Sequence, residues 1–112
     1  MELDDPKPVL VALFQQLFPL GFVCATPGAE MCLGQDTIRA ALARHIRGDW
    51  GELDVEDWQS NEEALSLGSR LISCYRAEET ETPFLIITDA ERSVTTVLLP
   101  TEFCASDLDQ PK

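Results

Sequence analysis

Positive charge is what this chain has least of: eight lysines and arginines face 20 aspartates and glutamates, for a formal net charge of −12. A field of that sign repels polyanions within a Debye length, which excludes nucleic acid as a direct ligand. Imidazole is scarcer still, His45 being the one histidine. The cysteines at 24, 32, 74 and 104 include no C-x-x-C pair, so no zinc spacing is visible and no metal site is expected. Cys24 and Cys74 fall inside apolar runs and are expected as buried, reduced thiols, which suits the cytoplasm. Neither a signal peptide nor a membrane span is expected. The apolar stretch from Pro8 to Thr26 follows the acidic MELDDPK and is broken by Gln15, Gln16 and Pro19. Walker A, G-x-G-x-x-G, H-E-x-x-H, EF-hand and nucleophile-elbow patterns are missing, and no cofactor is expected.

What is present suffices for one core. A chain of 112 residues that is 45% hydrophobic fits a single compact domain. The expected architecture is a small α+β domain, with two or three helices packed on one face of an antiparallel three- to four-stranded sheet. An apolar N-terminal segment (1–19) precedes the domain (20–103), and a flexible tail (104–112) follows it. Residues 8–18 read equally as helix or strand. FVCAT (22–26) reads as a short strand stopped by Thr26-Pro27-Gly28. From Asp36, taken as an N-cap, apolar residues at Ile38, Ala41, Leu42 and Ile46 mark an amphipathic helix that Gly48 ends. His45 falls within that apolar arc and faces inwards, while Arg39, Arg44 and Arg47 lie on the opposite side.

RHIRGDWGELDVEDWQSNEEAL (44–65) holds the lone histidine, both tryptophans and seven carboxylates. Gly48 and Gly51 bracket a reversal and are free to take positive φ. A second helix then starts at Asp54, in an arrangement resembling a capping box through Asp57, and stops at Gly68. Val55, Trp58 and Leu65 share its inner face; Asn61 lies at the edge of that face and needs an internal partner. Glu56 and Glu63 point outwards. After Gly68 the pattern becomes extended: SRLISCYR, PFLIIT and SVTTVLL read as an antiparallel meander closed by Pro100.

Two readings of function follow from the polar residues. In one, His45, Asp49, Arg70, Tyr75 and Arg92 converge on a phosphorylated or nucleotide-like ligand, with the histidine as general acid or base. Against it stands a structural reading, in which His45 is a neutral packing residue and the arginines pin helices to the sheet through Asp49, Asp57 or Asp89. In the other functional reading the protein is a non-catalytic acidic module. Trp50, Glu56, Asp57, Asn61 and Glu63 then contact a host or plasmid protein, with no nucleic acid or membrane involved. The balance of charge favours the second.

LGFVCATPGA, RHIRGDWGEL, ED..SNEEAL, GSRLISCY and IITDAERSVTTVLLPTEF together resemble a family of small plasmid-related proteins carried by plasmids, phages and other bacterial mobile elements. The resemblance covers residues 20–103, departs at Cys74 and Phe84-Leu85, and leaves out residues 1–19. Some members carry the label of a type I restriction modification subunit. The chain lacks the Rossmann core and the Asn/Asp-Pro-Pro-Tyr/Phe loop such an activity requires. What the resemblance implies is a bacterial mobile-element setting with an anti-defence or regulatory role, and it implies no catalytic residue.

Overall fold

The computed structural model describes residues 16–103. The expected N-terminal segment is therefore described only from Gln16, and Cys104 and the expected tail lie outside the described residues. In chain order the elements are β1 (Phe22–Ala25), α1 (Pro27–Cys32), α2 (Gln35–Ile46), α3 (Val55–Leu67), β2 (Leu71–Arg76), β3 (Pro83–Thr88) and β4 (Val94–Leu98), with a 3₁₀ turn at Pro100–Glu102. The α+β class holds, with three helices and a four-stranded sheet.

The sheet runs β1-β4-β3-β2. The expected meander is there: β2 pairs antiparallel with β3, and β3 with β4. The sheet as a whole is mixed rather than antiparallel, because β1 joins β4 in parallel, Phe22 opposite Val94. Side chains alternate as a pleat requires, so Leu71, Ser73, Tyr75, Phe84, Ile86, Thr88, Thr95 and Val97 are all buried on the side that faces the helices.

Thr26-Pro27-Gly28 starts a helix where the sequence suggested only a stop. The Thr26 side chain accepts from the Ala29 N–H and proline occupies the first turn, where its missing N–H costs nothing. Glu102 ties this start to the 3₁₀ turn, accepting from the Thr26 hydroxyl and from the Leu99 N–H. Helix α2 begins one residue before the expected cap. Gly34 is its N-cap and Asp36 lies in the first turn, where its carboxylate still complements the helix dipole. Helix α3 starts at Asp54, whose side chain accepts from the Asp57 N–H, and ends at Gly68 in the left-handed conformation (φ 76). Val55, the first residue of the helix, departs from the expected inner face and is 71% exposed.

Two adjoining clusters make the core. Ala29, Leu33, Ala41, Tyr75, Phe84, Ile86 and Val97 fill the space under α1 and α2. Phe18, Trp50, Ala64 and Leu71 fill the space between the joint, α3 and the sheet. Among the described residues the core thus includes Phe18, ahead of the expected boundary at residue 20. Fully burying each large apolar side chain contributes about 1.5–3 kcal/mol, so both clusters are needed to hold so small a domain. Cys24 and Cys74, expected as buried, are half-buried free thiols, and Cys32 is exposed.

Helix α3 lies against the outer edge of β2 rather than across the sheet. The Asn61 side chain donates to the Ile72 carbonyl (2.6 Å) and accepts from the Ile72 N–H (3.1 Å), as a neighbouring strand would. The segment before α3 completes the edge: the Cys74 N–H donates to Trp50 O (3.1 Å) and the Glu52 N–H to Cys74 O (2.7 Å). Gly51 sits between those two bonds at φ 82, and a Cβ there would run into the Cys74 carbonyl oxygen. Gly68 also has positive φ but nothing within 4 Å of a Cβ. Denaturant unfolding should therefore separate the two: Gly51→Ala is expected to lose about 3 kcal/mol, by clash added to strain, and Gly68→Ala about 1 kcal/mol from strain alone.

Candidate functional site

His45 is carried inwards by α2 and has no exposed surface. Its Nδ1 meets the Ser73 hydroxyl on β2, and its Nε2 lies 2.9 Å from the Thr88 hydroxyl on β3. Thr88 meets Thr95 of β4 at 2.8 Å, and Thr95 donates to the Leu20 carbonyl at 2.7 Å. A carbonyl only accepts, so the proton direction is fixed along the whole chain of bonds. Thr95 gives to Leu20, Thr88 to Thr95, His45 Nε2–H to Thr88, and Ser73 to Nδ1. The imidazole is thus a neutral Nε2–H tautomer with both nitrogens engaged.

Aromatic rings close the remaining sides. Phe18 meets the imidazole edge-on at 5.1 Å, Trp50 does so at 5.6 Å, and Phe18 stacks on Trp50 at 6.2 Å. Burial, reinforced by the Arg92 charge, pushes the His45 pKa down to about 3. A ring so enclosed cannot reach a substrate. The general acid or base expected at His45 therefore has no access to solvent in this fold.

Arg92, the expected phosphate ligand, points at carbonyls. At the β3–β4 turn, with φ 61, it sends Nη1 to the oxygens of Ser69 (2.6 Å), Asp89 (3.0 Å) and Ala90 (3.3 Å). Its Nη2 reaches Ala64 O at 3.0 Å. The guanidinium also lies over the Phe18 ring, 5.7 Å from its centroid. No basic residue occupies the last turn of α3, so Arg92 supplies from another element the positive charge that a helix C-terminus favours. Arg70 lies elsewhere, lining a depression of about 440 Å³ together with Asp57, Glu63 and Phe103. The two arginines do not converge on a shared ligand site among the described residues.

Asp49 and Tyr75 belong to the joint. Asp49 accepts from Arg44 Nε (2.8 Å) and Nη2 (3.3 Å) and from the Gly51 N–H (3.2 Å). The Arg44 guanidinium beside it holds the Asp49 carboxyl below the usual carboxylate range. Tyr75 donates to the Asp49 carbonyl at 2.6 Å, under a guanidinium 4.7 Å from its ring centroid, and its burial raises the phenol pKa. Asp89 accepts from Ser93 and Val94 and so folds the turn.

Of the expected contact residues, Trp50 is fully buried and donates its indole N–H to Glu62 (2.9 Å), which rules it out as a surface contact. Asn61 is likewise engaged at the β2 edge. Glu56, Asp57 and Glu63 are exposed, together with Glu52 and Asp54. One structural partner, Thr88, carries no signal in the sequence that marks it out. Thr88 sits at the end of an apolar strand where a hydroxyl looks incidental, although its even spacing from Ile86 and Phe84 puts it on the buried face. Arg44, read as facing solvent or the acidic stretch that follows, takes the second course: Gly48, at φ 85, turns Asp49 back to meet it.

Among the described residues no three His, Cys, Asp or Glu side chains gather as a metal site, and no helix is long and apolar enough to cross a membrane. Comparison with known proteins gives no match to a family model, a curated protein or a solved structure.

The buried imidazole makes stability depend on pH with a defined sign. Below pH 6.5 the unfolded chain binds a proton that the folded protein refuses until about pH 3, so stability is lost as pH falls through that window. Urea unfolding should show a loss of about 2 kcal/mol between pH 6.5 and 5, an interval above the ordinary carboxylate pKa values. His45→Gln should be flat over the same interval whatever its starting stability. Trp50→Ala should cost about 4 kcal/mol, and clearly more than the same change at the half-buried Trp58.

Proposed function

We propose that this protein is a non-catalytic binding module whose acidic surface docks a host or plasmid protein in the bacterial cytoplasm. One observation supports this above others: His45, Tyr75 and Arg92 are engaged by the fold's own groups, whereas five of the carboxylates of residues 52–63 are exposed. Glu52, Asp54, Glu56, Asp57 and Glu63 are exposed along the joint and α3. Among the described residues the only ion pair there is that of Glu52 with Arg76, at 3.2 Å. A ridge of one sign steers encounter with a basic surface and sets the salt dependence of association more than it adds affinity. The resemblance of the sequence motifs to those of plasmid-related proteins favours an anti-defence or regulatory role on a mobile element, the basic partner being a nucleic-acid-binding defence enzyme or its regulator.

Affinity capture from bacterial lysate tests the reading. The native protein should retain a defined basic partner at low salt and lose it as salt rises, and Glu56→Lys with Glu63→Lys should lose it at all salt concentrations. Absence of any retained protein, or a retained set that the double variant leaves unchanged, would overturn it.

A further inference from the structure

The two edges of the sheet are finished differently. At β2 the outward backbone groups of Ile72 and Cys74 are met by Asn61, Trp50 and Glu52. At β1 the Phe22 and Thr26 N–H groups donate to Ser93 and Val97 on the β4 side, each at 2.9 Å. Alternation along the strand then turns the N–H and C=O of Val23 and Ala25 outwards, where no described residue meets them. The strand, FVCA, has none of the lysines, prolines or bulges that blunt a free edge. Phe22 is 70% and Val23 39% exposed.

Beside this edge lies a groove of about 570 Å³ between β1 and α2, with Leu33, Ile38 and Val97 along it and Glu30 and Arg39 among its polar residues. Such a volume lies within the range of ligand-sized pockets, about 300–1,000 Å³. Unpaired strand donors and acceptors beside an apolar groove are the two elements of strand addition, in which backbone bonds hold a peptide and a pocket selects its side chain.

We propose that β1 is a docking edge, taking an extended, basic-flanked segment of another protein as a fifth strand, with one apolar side chain seated between β1 and α2. This deepens the binding-module reading and rests on it. Charge decides the occupant. A second copy of the chain would bring −12 against −12, whereas a segment flanked by lysines is attracted. Among the described residues the one cation lining the groove, Arg39, is paired with Asp36 at 3.6 Å, which leaves little positive charge there for an acidic segment.

The probe is a synthetic, end-blocked peptide of alternating valine and threonine with a lysine at each end. Amide exchange read by NMR should find the Val23 and Ala25 amides unprotected in the free protein and protected when the peptide is bound. Val23→Pro removes one outward donor at an edge position that tolerates proline, and should weaken binding about tenfold while leaving the β1–β4 pairing intact. Should that variant unfold, the native protein with a probe N-methylated at alternate residues removes the same bonds from the peptide side, with the same expected loss. Protection of Val23 and Ala25 in the free protein, equal binding of the N-methylated probe, or a dimer seen in sedimentation that Val23→Pro dissolves would each overturn the proposal. If Val23→Pro abolishes probe binding yet still captures its partner from lysate, the docking edge fails while the acidic module stands; if the native protein captures nothing, both fail.

Discussion

One imidazole with one proton to give connects every layer of this fold. Through His45, helix α2 is bonded to β2 at Ser73 and to β3 at Thr88, and through the two threonines to β4 and the carbonyl of Leu20. Each hydroxyl has one proton to donate and the Leu20 carbonyl can only accept, so the direction of every bond from the imidazole Nε2–H to Leu20 is fixed. Inside a low-dielectric core an unmatched polar atom costs about 1–3 kcal/mol, and a matched network fixes geometry. None of the described buried side-chain polar atoms is left without a partner. The depressed pKa is the electrostatic face of the same fact: a charged ring would have two donors, and Ser73 would have to reverse.

Around that chain the joint at residues 48–54 acts as both spacer and seal. It closes α2 with an Arg44–Asp49 pair, lays Trp50 over the imidazole, and borders β2 with the backbone of Trp50 and Glu52. Tryptophan and glycine are needed at adjacent positions for unrelated reasons, one to fill the core and the other to let two backbones approach. The acidic residues that follow are left over from this construction and remain available to solvent.

Local signals in the sequence were sufficient where the relevant partner was near in the chain. The 100° spacing that put His45 inwards, the Asp54 and Gly68 caps, and the three strands of the meander are all present as read. Asn61 was legible as a polar residue on an inner face, but that it would pair with Ile72 depended on where β2 lies. The parallel pairing of β1 with β4 joins Phe22 to Val94 across most of the domain, and no periodicity carries that information. The convergence of His45, Arg70 and Arg92 failed for a related reason. Residue type advertises chemistry, whereas backbone carbonyls, the actual partners of Arg92, are invisible in a sequence. Thr26-Pro27 was a different failure, since threonine before proline is both a turn signal and a helix start.

The guanidinium at the end of α3 comes from a turn 28 residues beyond the carbonyl it reaches. The Gly68 and Ser69 N–H groups already donate to that carbonyl, so the helix end closes locally and Arg92 adds a charged third donor from the β3–β4 turn. Closing that loop carries an entropic cost before the contact repays it. A single side chain on the hairpin thereby fastens the end of α3 to the far side of the sheet, and the two elements are held as one piece.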